Sequence, residues 1–120
     1  MIKGFLFDLD GVFYIDNSLI KGANDVINWF RDKKIIFRFL TNNTTLSRKD
    51  LVIKLNLIGL KINEDEIISA NYAGVLLLKK LNIKSCRLVL SENAKEDYKI
   101  FKIEKDKPEA LIVGDIGDLW

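Results

Sequence analysis

The sequence predicts an α/β fold with a parallel sheet, and three observations carry that prediction. Short apolar, β-prone segments alternate along the chain with amphipathic helical segments, which is the pattern of repeated βαβ units. Apolar residues make up 48% of the chain and charged residues 30%, as in ordinary globular proteins. A length of 120 residues also suits one domain of common size.

The first half of the chain contains two predicted strands separated by a predicted helix. Residues 2–7 are a short apolar run that ends at Asp8, which predicts a buried strand, and residues 35–40 repeat this pattern. Residues 12–22, directly after the first strand, are a mixed segment with turn signals. Residues 23–33 then carry apolar side chains at helical spacing and predict an amphipathic helix.

A second helix is predicted after the polar run that follows the second strand. Ser47 is typical of a helix N-cap, and Asp50 lies three residues further on. The helical pattern then continues until Gly59, a residue that commonly follows helix ends.

The second half of the chain continues the alternation of strands and helices. We predict strands over residues 67–69, 87–90 and 110–113 and helices over residues 71–81 and 92–99. In the first of these helices, the spacing of Ala73, Leu76 and Leu77 predicts that these side chains face the core. Residues 102–107 are predicted to be a solvated loop.

The composition excludes several kinds of chemistry. The chain has no histidine and only one cysteine, Cys86, which rules out Ser-His-Asp and Cys-His catalysis, zinc sites built from histidine or cysteine, and an intrachain disulfide. A lone cysteine is consistent with a reducing compartment, and we expect a cytoplasmic protein. The chemistry therefore depends on carboxylates, hydroxyls, amides, lysines and hard metal ions.

The charge and hydropathy patterns indicate a soluble protein without nucleic-acid or membrane partners. Nineteen basic residues against 17 acidic ones give a net charge of +2, and these charges are evenly spread. The N-terminal segment does not resemble a signal peptide, and no stretch approaches the ~20 apolar residues of a membrane-spanning helix.

The first predicted strand ends in two carboxylates separated by one residue. Asp8 and Asp10 can point to the same side, and Gly11 permits a tight turn and close approach to a ligand. Such a pair can hold Mg²⁺ together with substrate phosphate oxygens, or divide into a nucleophile and a general acid/base. Asp-x-Asp-Gly is also common turn chemistry, so the four residues alone leave both interpretations open.

The second predicted strand ends in uncharged donors. Thr41, Asn42 and Asn43 offer hydroxyl and amide groups that can neutralise phosphoryl oxygens. This tripeptide is also a common turn and N-cap signal. Ligands of open α/β sheets bind at the carboxyl ends of strands, so two polar clusters on successive strand ends favour function over the turn interpretation.

These two clusters resemble the signatures of a known hydrolase superfamily. Residues 5–12 (FLFDLDGV) look like the first motif of the haloacid dehalogenase-like (HAD) hydrolases, and residues 39–43 (FLTNN) look like the second. Residues 19–23 and 62–70 extend the similarity to the class IIA branch, which contains NagD-like and p-nitrophenylphosphatase-like phosphatases. The resemblance implies a Rossmann-like parallel sheet forming the N-terminal half of a HAD core, followed by the start of an α/β cap.

The same resemblance implies roles for the predicted site residues. Asp8 would be the nucleophile that forms an aspartyl-phosphate, and Asp10 the acid/base. The Asp8 side chain and the Asp10 backbone carbonyl would bind Mg²⁺. The substrate would be a small phosphomonoester, with its phosphoryl group held by donors at the two strand ends; the predicted binding residues are Gly11, Thr41, Asn42 and Asn43.

Two further motifs of the family lack a convincing counterpart. We find no lysine at a suitable place for the third motif. Gly114 and Asp115, with Asp118 following, imitate the fourth, which would complete a Mg²⁺ site. The order of elements favours the other interpretation, in which Asp115 belongs to the cap and is not a metal ligand. On that interpretation residues 1–82 are the N-terminal half of the core and residues 83–120 an incomplete cap.

These missing motifs favour a second functional hypothesis for this chain as it stands, whereas the resemblance favours the phosphatase for the parent protein. The chain could be a non-catalytic module that binds a phosphorylated ligand or a partner without turnover. An incomplete sheet and cap would also expose apolar edges, which favour association into a homo-oligomer.

Overall fold

The computed structural model describes residues 1–117, and its helices and strands alternate as predicted. In chain order the elements are β1 (Gly4–Asp8), β2 (Tyr14–Ile15), β3 (Ser18–Leu19), α1 (Ala23–Asp32), β4 (Ile36–Thr41), α2 (Arg48–Leu57), β5 (Ile67–Ser69), α3 (Ala70–Lys80), β6 (Ser85–Val89), β7 (Lys102–Ile103) and β8 (Ala110–Val113). Two short 3₁₀ helices cover Glu64–Glu66 and Asn93–Tyr98. The predicted α/β class with a parallel sheet is confirmed.

The chain forms two compact units, each with its own sheet. The first unit comprises Met1–Thr41 and Leu51–Ile68, and the second comprises Asn42–Asp50 and Ser69–Trp120. The boundary therefore falls between Thr41 and Asn42, and it also passes through α2 and β5.

The sheet of the first unit has the strand order β1-β4-β5, with β1 and β4 parallel. The register pairs Gly4 with Ile36 and Asp8 with Leu40. A parallel pair needs a crossover, and here it consists of the small antiparallel hairpin β2–β3 and helix α1. Both strands therefore end at the same edge of the sheet.

Phenylalanine rings dominate the core of the first unit. The Phe30 ring of α1 lies 4.8 Å from the Phe5 ring and 5.3 Å from the Phe7 ring, both with edge-to-face geometry. Phe13 packs edge-on against Phe39, with the ring centroids 5.1 Å apart. Such pairs stabilise a core by ~0.5–1.5 kcal/mol each beyond the area they bury. They fix α1 and the turn after β1 against the sheet.

One face of this sheet is open, which corrects the prediction that both strands are buried. Leu6 and Ile36 are each 66% exposed, whereas Phe37 and Phe39 of β4 are buried. The reason is the two-residue period of a strand: side chains of one parity meet α1, and those of the other parity point away from it. An apolar run without alternation does not reveal that only one face is covered.

The second unit contains a parallel sheet of order β7-β6-β8. Cys86 of β6 is fully buried beside Tyr98 of the second 3₁₀ helix and Val75 and Leu78 of α3, in a core that also includes Leu90, Ala94 and Phe101. Strand β7 lies within residues 102–107, where a solvated loop was predicted; this prediction is wrong for Lys102–Ile103.

The predicted inner face of α3 is also wrong. Leu76 and Leu77 are 43% and 54% exposed and Ala73 is exposed, whereas the buried residues are Asn71, Val75 and Leu78. The helix carries apolar residues around much of its circumference, so periodicity does not select one face. A polar residue, Asn71, marks the buried side.

The helix start predicted at Ser47 is confirmed. Its hydroxyl accepts a hydrogen bond of 3.0 Å from the backbone N–H of Asp50, and the side chain is 1% exposed. Within residues 1–117, none of the helices has the length and apolar character needed to cross a bilayer.

Candidate active site

The carboxyl ends of β1 and β4 form one edge of the first sheet. Asp8 is the last residue of β1 and pairs with Leu40, and Thr41, the next residue, ends β4. The parallel register therefore brings the acidic end of β1 beside the hydroxyl-bearing end of β4. This is the juxtaposition that the two sequence motifs predict for neighbouring parallel strands.

The turn after β1 presents two carboxylates on either side of a buried leucine. Leu9 is fully buried, and its carbonyl accepts hydrogen bonds from the N–H groups of Val12 and Phe13. Asp8 and Asp10, on either side of it, are both exposed. The Asp8 carboxylate accepts a 2.8 Å hydrogen bond from the Leu9 N–H, which fixes one of its oxygens.

Gly11 closes this turn in a conformation that other residues rarely adopt. Its φ is +76°, and its N–H donates a 2.8 Å hydrogen bond to the carbonyl of Tyr14. A Cβ at this position would meet no atom within 4 Å, so the backbone angle, and not lack of space, requires glycine. Its predicted contact with substrate stays a prediction.

Tyr14 is a site residue that the sequence reasoning missed. It forms an isolated bridge with Asp10, and its ring lies partly buried in the turn. Burial, then the negative charge of Asp10, then that of Asp8, raise the pKa of the phenol above its ordinary value. Tyr14 thus stays neutral beside the acid pair; its position four residues after Asp10 was the only signal in the sequence.

The Thr-Asn-Asn motif is divided between the two units. Thr41 belongs to the first unit, and Asn42 and Asn43 belong to the second. Asn42 is exposed. The side-chain oxygen of Asn43 accepts hydrogen bonds from the N–H groups of Thr45, at 3.1 Å, and Leu46, at 2.9 Å. Asn43 thus shapes the turn before α2, as the turn interpretation of this motif predicts.

Asp115 follows β8, a strand of the second sheet, and not a strand of the sheet that carries Asp8. One of its carboxylate oxygens accepts a 2.7 Å hydrogen bond from the N–H of Gly117, and its own N–H donates to the hydroxyl of Thr44 at 3.1 Å. These contacts are those of a turn residue. Asp118, the other acid of the imitated fourth motif, lies outside the described residues.

The donor set at the end of β1 suits a hard divalent cation. Mg²⁺ is typically bound through one or two carboxylates, with water and substrate phosphate oxygens filling the other positions, and Asp8 and Asp10 supply two exposed carboxylates. Over residues 1–117, no three acidic or cysteine side chains come together as a metal-binding group. The pair alone therefore fits Mg²⁺ only as a partial ligand set.

Comparison with known proteins supports the motif assignment. The model of the family described as haloacid dehalogenase-like hydrolase matches residues 5–104. The human haloacid dehalogenase-like hydrolase domain-containing protein 2 (Homo sapiens) is 32% identical over 113 residues, which cover 94% of this chain and 42% of that protein. The matched segment includes both predicted motifs.

Solved structures agree with the sequence relatives. NagD from Escherichia coli K-12 superposes with a TM-score of 0.83 at 26% identity, covering 95% of this chain and 46% of NagD. A p-nitrophenyl phosphatase from Archaeoglobus fulgidus superposes with a TM-score of 0.82 at 26% identity, covering 98% of this chain and 46% of that enzyme. The chain thus spans less than half the length of the relatives it matches.

Proposed function

The chain belongs to the haloacid dehalogenase-like hydrolases, in the NagD-like class IIA branch, and on this basis we propose that it carries the nucleophilic half of a Mg²⁺-dependent phosphomonoesterase site. A phosphatase is what the family relationship supports. The observation that carries the finer proposal is the shared sheet edge, where Asp8 ends β1 and Thr41 ends the adjacent parallel strand.

The proposed reaction begins at Asp8. A carboxylate oxygen of Asp8 attacks phosphorus and forms an aspartyl-phosphate, and the bond between phosphorus and the ester oxygen breaks. Asp10 gives a proton to the departing alkoxide. Asp10 then takes a proton from water as that water attacks phosphorus, which releases inorganic phosphate and restores the Asp8 carboxylate. Asp8 supplies the nucleophile and Asp10 carries both proton transfers, so no histidine is needed.

The other predicted site residues bind the phosphoryl group. The Thr41 hydroxyl and the Asn42 amide donate hydrogen bonds to phosphoryl oxygens, and the turn at Gly11 lets the backbone approach them. Mg²⁺, held by the Asp8 side chain and the Asp10 carbonyl, would supply positive charge against the phosphoryl oxygens. Tyr14 remains neutral and so adds no charge that opposes binding of an anion.

Further proposals concern the remainder of the molecule. We propose that residues 83–120 form the start of a cap, that the substrate is small, and that the protein is cytoplasmic. The open face around Leu6 and Ile36 is an apolar surface suited to association with another copy. A phospho-ligand-binding module without turnover is the competing function, since the third and fourth motifs of the family lack a convincing counterpart in residues 1–120.

The test is hydrolysis of p-nitrophenyl phosphate by the purified chain, with Mg²⁺ and with a chelator. We expect Mg²⁺-dependent turnover that Asp8→Asn lowers at least ~10³-fold, because the nucleophile is lost. Asp16→Asn is the matched control: Asp16 lies in the β2–β3 turn at φ +53°, a conformation that asparagine tolerates.

The competing function gives a different result in the same experiment. Binding of inorganic phosphate by calorimetry, without turnover of p-nitrophenyl phosphate, would replace the catalytic proposal with the binding module. Equal loss of activity in Asp8→Asn and Asp16→Asn would contradict the role of Asp8.

A further inference from the structure

The segment that follows Asn42 is held by side chains from elsewhere in the second unit. Asn71 of α3 donates from its side-chain nitrogen to the carbonyls of Thr44, at 3.2 Å, and Leu46, at 3.3 Å. The Ser91 hydroxyl donates to the carbonyl of Thr45 at 2.6 Å. Three consecutive carbonyls of an irregular segment are therefore bonded to side chains that lie 25 to 46 residues further along the chain.

The end of the same segment is fixed by a carboxylate. Both oxygens of Asp97 accept from the N–H of Arg48, at 3.0 and 3.1 Å, at the first residue of α2. N–H groups in the first turn of a helix have no partner within the helix, so an acceptor there anchors the helix start. The Arg48 guanidinium also lies over the Tyr72 ring, 3.5 Å from its centroid. Asp97 and Tyr72 together hold the point where the segment enters α2.

The burial of Asn71 indicates what its contacts achieve. This side chain is 3% exposed and occupies the inner face of α3 together with Val75 and Leu78. A buried carboxamide costs free energy unless its polar atoms are bonded, and an apolar residue would pack there without that cost. The two bonds to the segment are what the asparagine provides beyond packing.

We propose that Asn71 and Asp97 are positioning residues that set the location of the Asn42 amide for binding a phosphoryl group. Within the second unit, these contacts hold residues 44–48, which follow Asn42 closely in the chain. Asn42 itself is exposed. This proposal rests on the phosphate-binding role proposed above for the strand end of β4.

The experiment compares two asparagines that hold loops in the same way. Asn71→Leu removes both donors while keeping the side-chain volume. Asn24→Leu is the control, because Asn24 bridges the Gly59 carbonyl, at 2.7 Å, and the Lys61 N–H, at 2.9 Å, in the first unit. Asp97→Ala removes the acceptor that anchors the Arg48 N–H. Asp97→Asn keeps one acceptor, so its amide exchange rates and its phosphate affinity should lie between those of Asp97→Ala and the wild type.

Two measurements are made on each folded variant: amide hydrogen exchange by NMR, and affinity for inorganic phosphate by calorimetry in the presence of Mg²⁺. We expect Asn71→Leu and Asp97→Ala to speed exchange at Thr45, Leu46 and Arg48 by at least ~10-fold and to weaken phosphate binding by ~5- to 10-fold. Asn24→Leu should speed exchange at Lys61 only and leave phosphate affinity within ~2-fold of wild type.

The outcomes separate this proposal from the one on which it rests. Unchanged exchange at the three amides in Asn71→Leu and Asp97→Ala overturns the holding role. Faster exchange with wild-type phosphate affinity overturns the positioning role and leaves the proposed function intact. A wild-type chain that binds no phosphate overturns the proposed function, and the positioning role with it. If Asn71→Leu does not fold, Asp97→Ala, at a partly exposed site, decides the question alone.

Discussion

An aspartate lies at or shortly after the end of one strand in each sheet: Asp8 ends β1, and Asp115 lies two residues after the end of β8. At the end of β1, Asp8 and Asp10 are exposed on either side of a buried leucine. After β8, one carboxylate oxygen of Asp115 accepts a hydrogen bond from the N–H of Gly117. Each aspartate accepts a hydrogen bond from a nearby backbone N–H, so what distinguishes the end of β1 is the second exposed acid, Asp10. A single acid is readily used by its own turn.

The two units also differ in how their cores are built. The first unit packs phenylalanine rings from α1, β1 and β4 against one another, with Arg31 of α1 forming a two-pronged ion pair with the largely buried Glu66. The second unit packs aliphatic residues and Cys86 around Tyr98 and buries polar Asn71 among them. The second unit also uses polar side chains, Asn71 and Ser91, to bond the carbonyls of residues 44–46.

The largest expected effect distinguishes Asp10 from Asp115. Asp10→Asn should lower kcat for an alkyl phosphomonoester by ~10²- to 10⁴-fold, because an alkoxide needs a proton to leave. The loss should be smaller for p-nitrophenyl phosphate, whose phenolate leaves without one. Asp115→Asn should change both rates by less than ~2-fold. Steady-state kinetics with the two substrates measure this, and equal losses in both variants would give Asp115 a share in the site.

The next prediction concerns Tyr14 and Tyr98, whose phenol pKa values are both raised. Burial, with smaller contributions from Asp97 and Cys86, raises the pKa of Tyr98 to about 12 from 10.0. The unfolded chain therefore loses this proton first as the pH rises. The contribution of Tyr98 to the free energy of unfolding is complete below pH 10 and falls by ~2–3 kcal/mol between pH 10 and pH 12.

Urea titrations at a series of pH values test this difference. Tyr98→Phe should remove that part of the decline in the free energy of unfolding above pH 10. Tyr14→Phe should remove less of the decline, since Tyr14 is only partly buried. A decline in Tyr98→Phe as steep as in the wild type would show that other groups cause it.

A smaller effect on stability is expected from alanine substitutions at Gly11 of the first unit and Gly74 of the second. A Cβ at Gly74 in α3 would overlap the Tyr98 hydroxyl. Gly74→Ala should therefore destabilise by ~1–2 kcal/mol, although alanine alone favours a helix by ~1 kcal/mol. In a Tyr98→Phe background the overlap is gone, and the same substitution should become neutral or stabilising. Gly11→Ala should cost ~1–2 kcal/mol in either background, because its cost comes from φ.

Thermal or urea unfolding of the three single variants and the two double variants gives these values. If Gly74→Ala destabilises the protein as much in the Tyr98→Phe background as in the wild type, overlap with the Tyr98 hydroxyl is not the cause of the destabilisation. If Tyr98→Phe also reduces the destabilisation caused by Gly11→Ala, the two glycines do not differ in the cause of their destabilisation.

Much of the fold could be predicted because it depends on local patterns. The strand ending at Asp8, the cap at Ser47 and the order of elements follow from apolar runs and turn residues that act over a few positions. The inner face of α3 and the short strand β7 could not be predicted, because each is decided by what packs against it. The sequence of α3 allows several apolar faces, and only contact with β6 and Tyr98 selects one.

For the site, the sequence by itself determined the chemistry, and the tertiary structure decided which residues share a location. Within these 120 residues, the absence of histidine and the Asp-x-Asp-Gly motif predict carboxylate chemistry, because side-chain type fixes which protons and charges are available. In the structure, the parallel register of β1 and β4 places Thr41 near Asp8, and the turn after β1 pairs Tyr14 with Asp10. Asp115 follows a strand of the other sheet. The position of Asp115 depends on strand order, which no local pattern encodes, whereas the neighbouring ends of β1 and β4 follow from the parallel pairing that the two motifs predict.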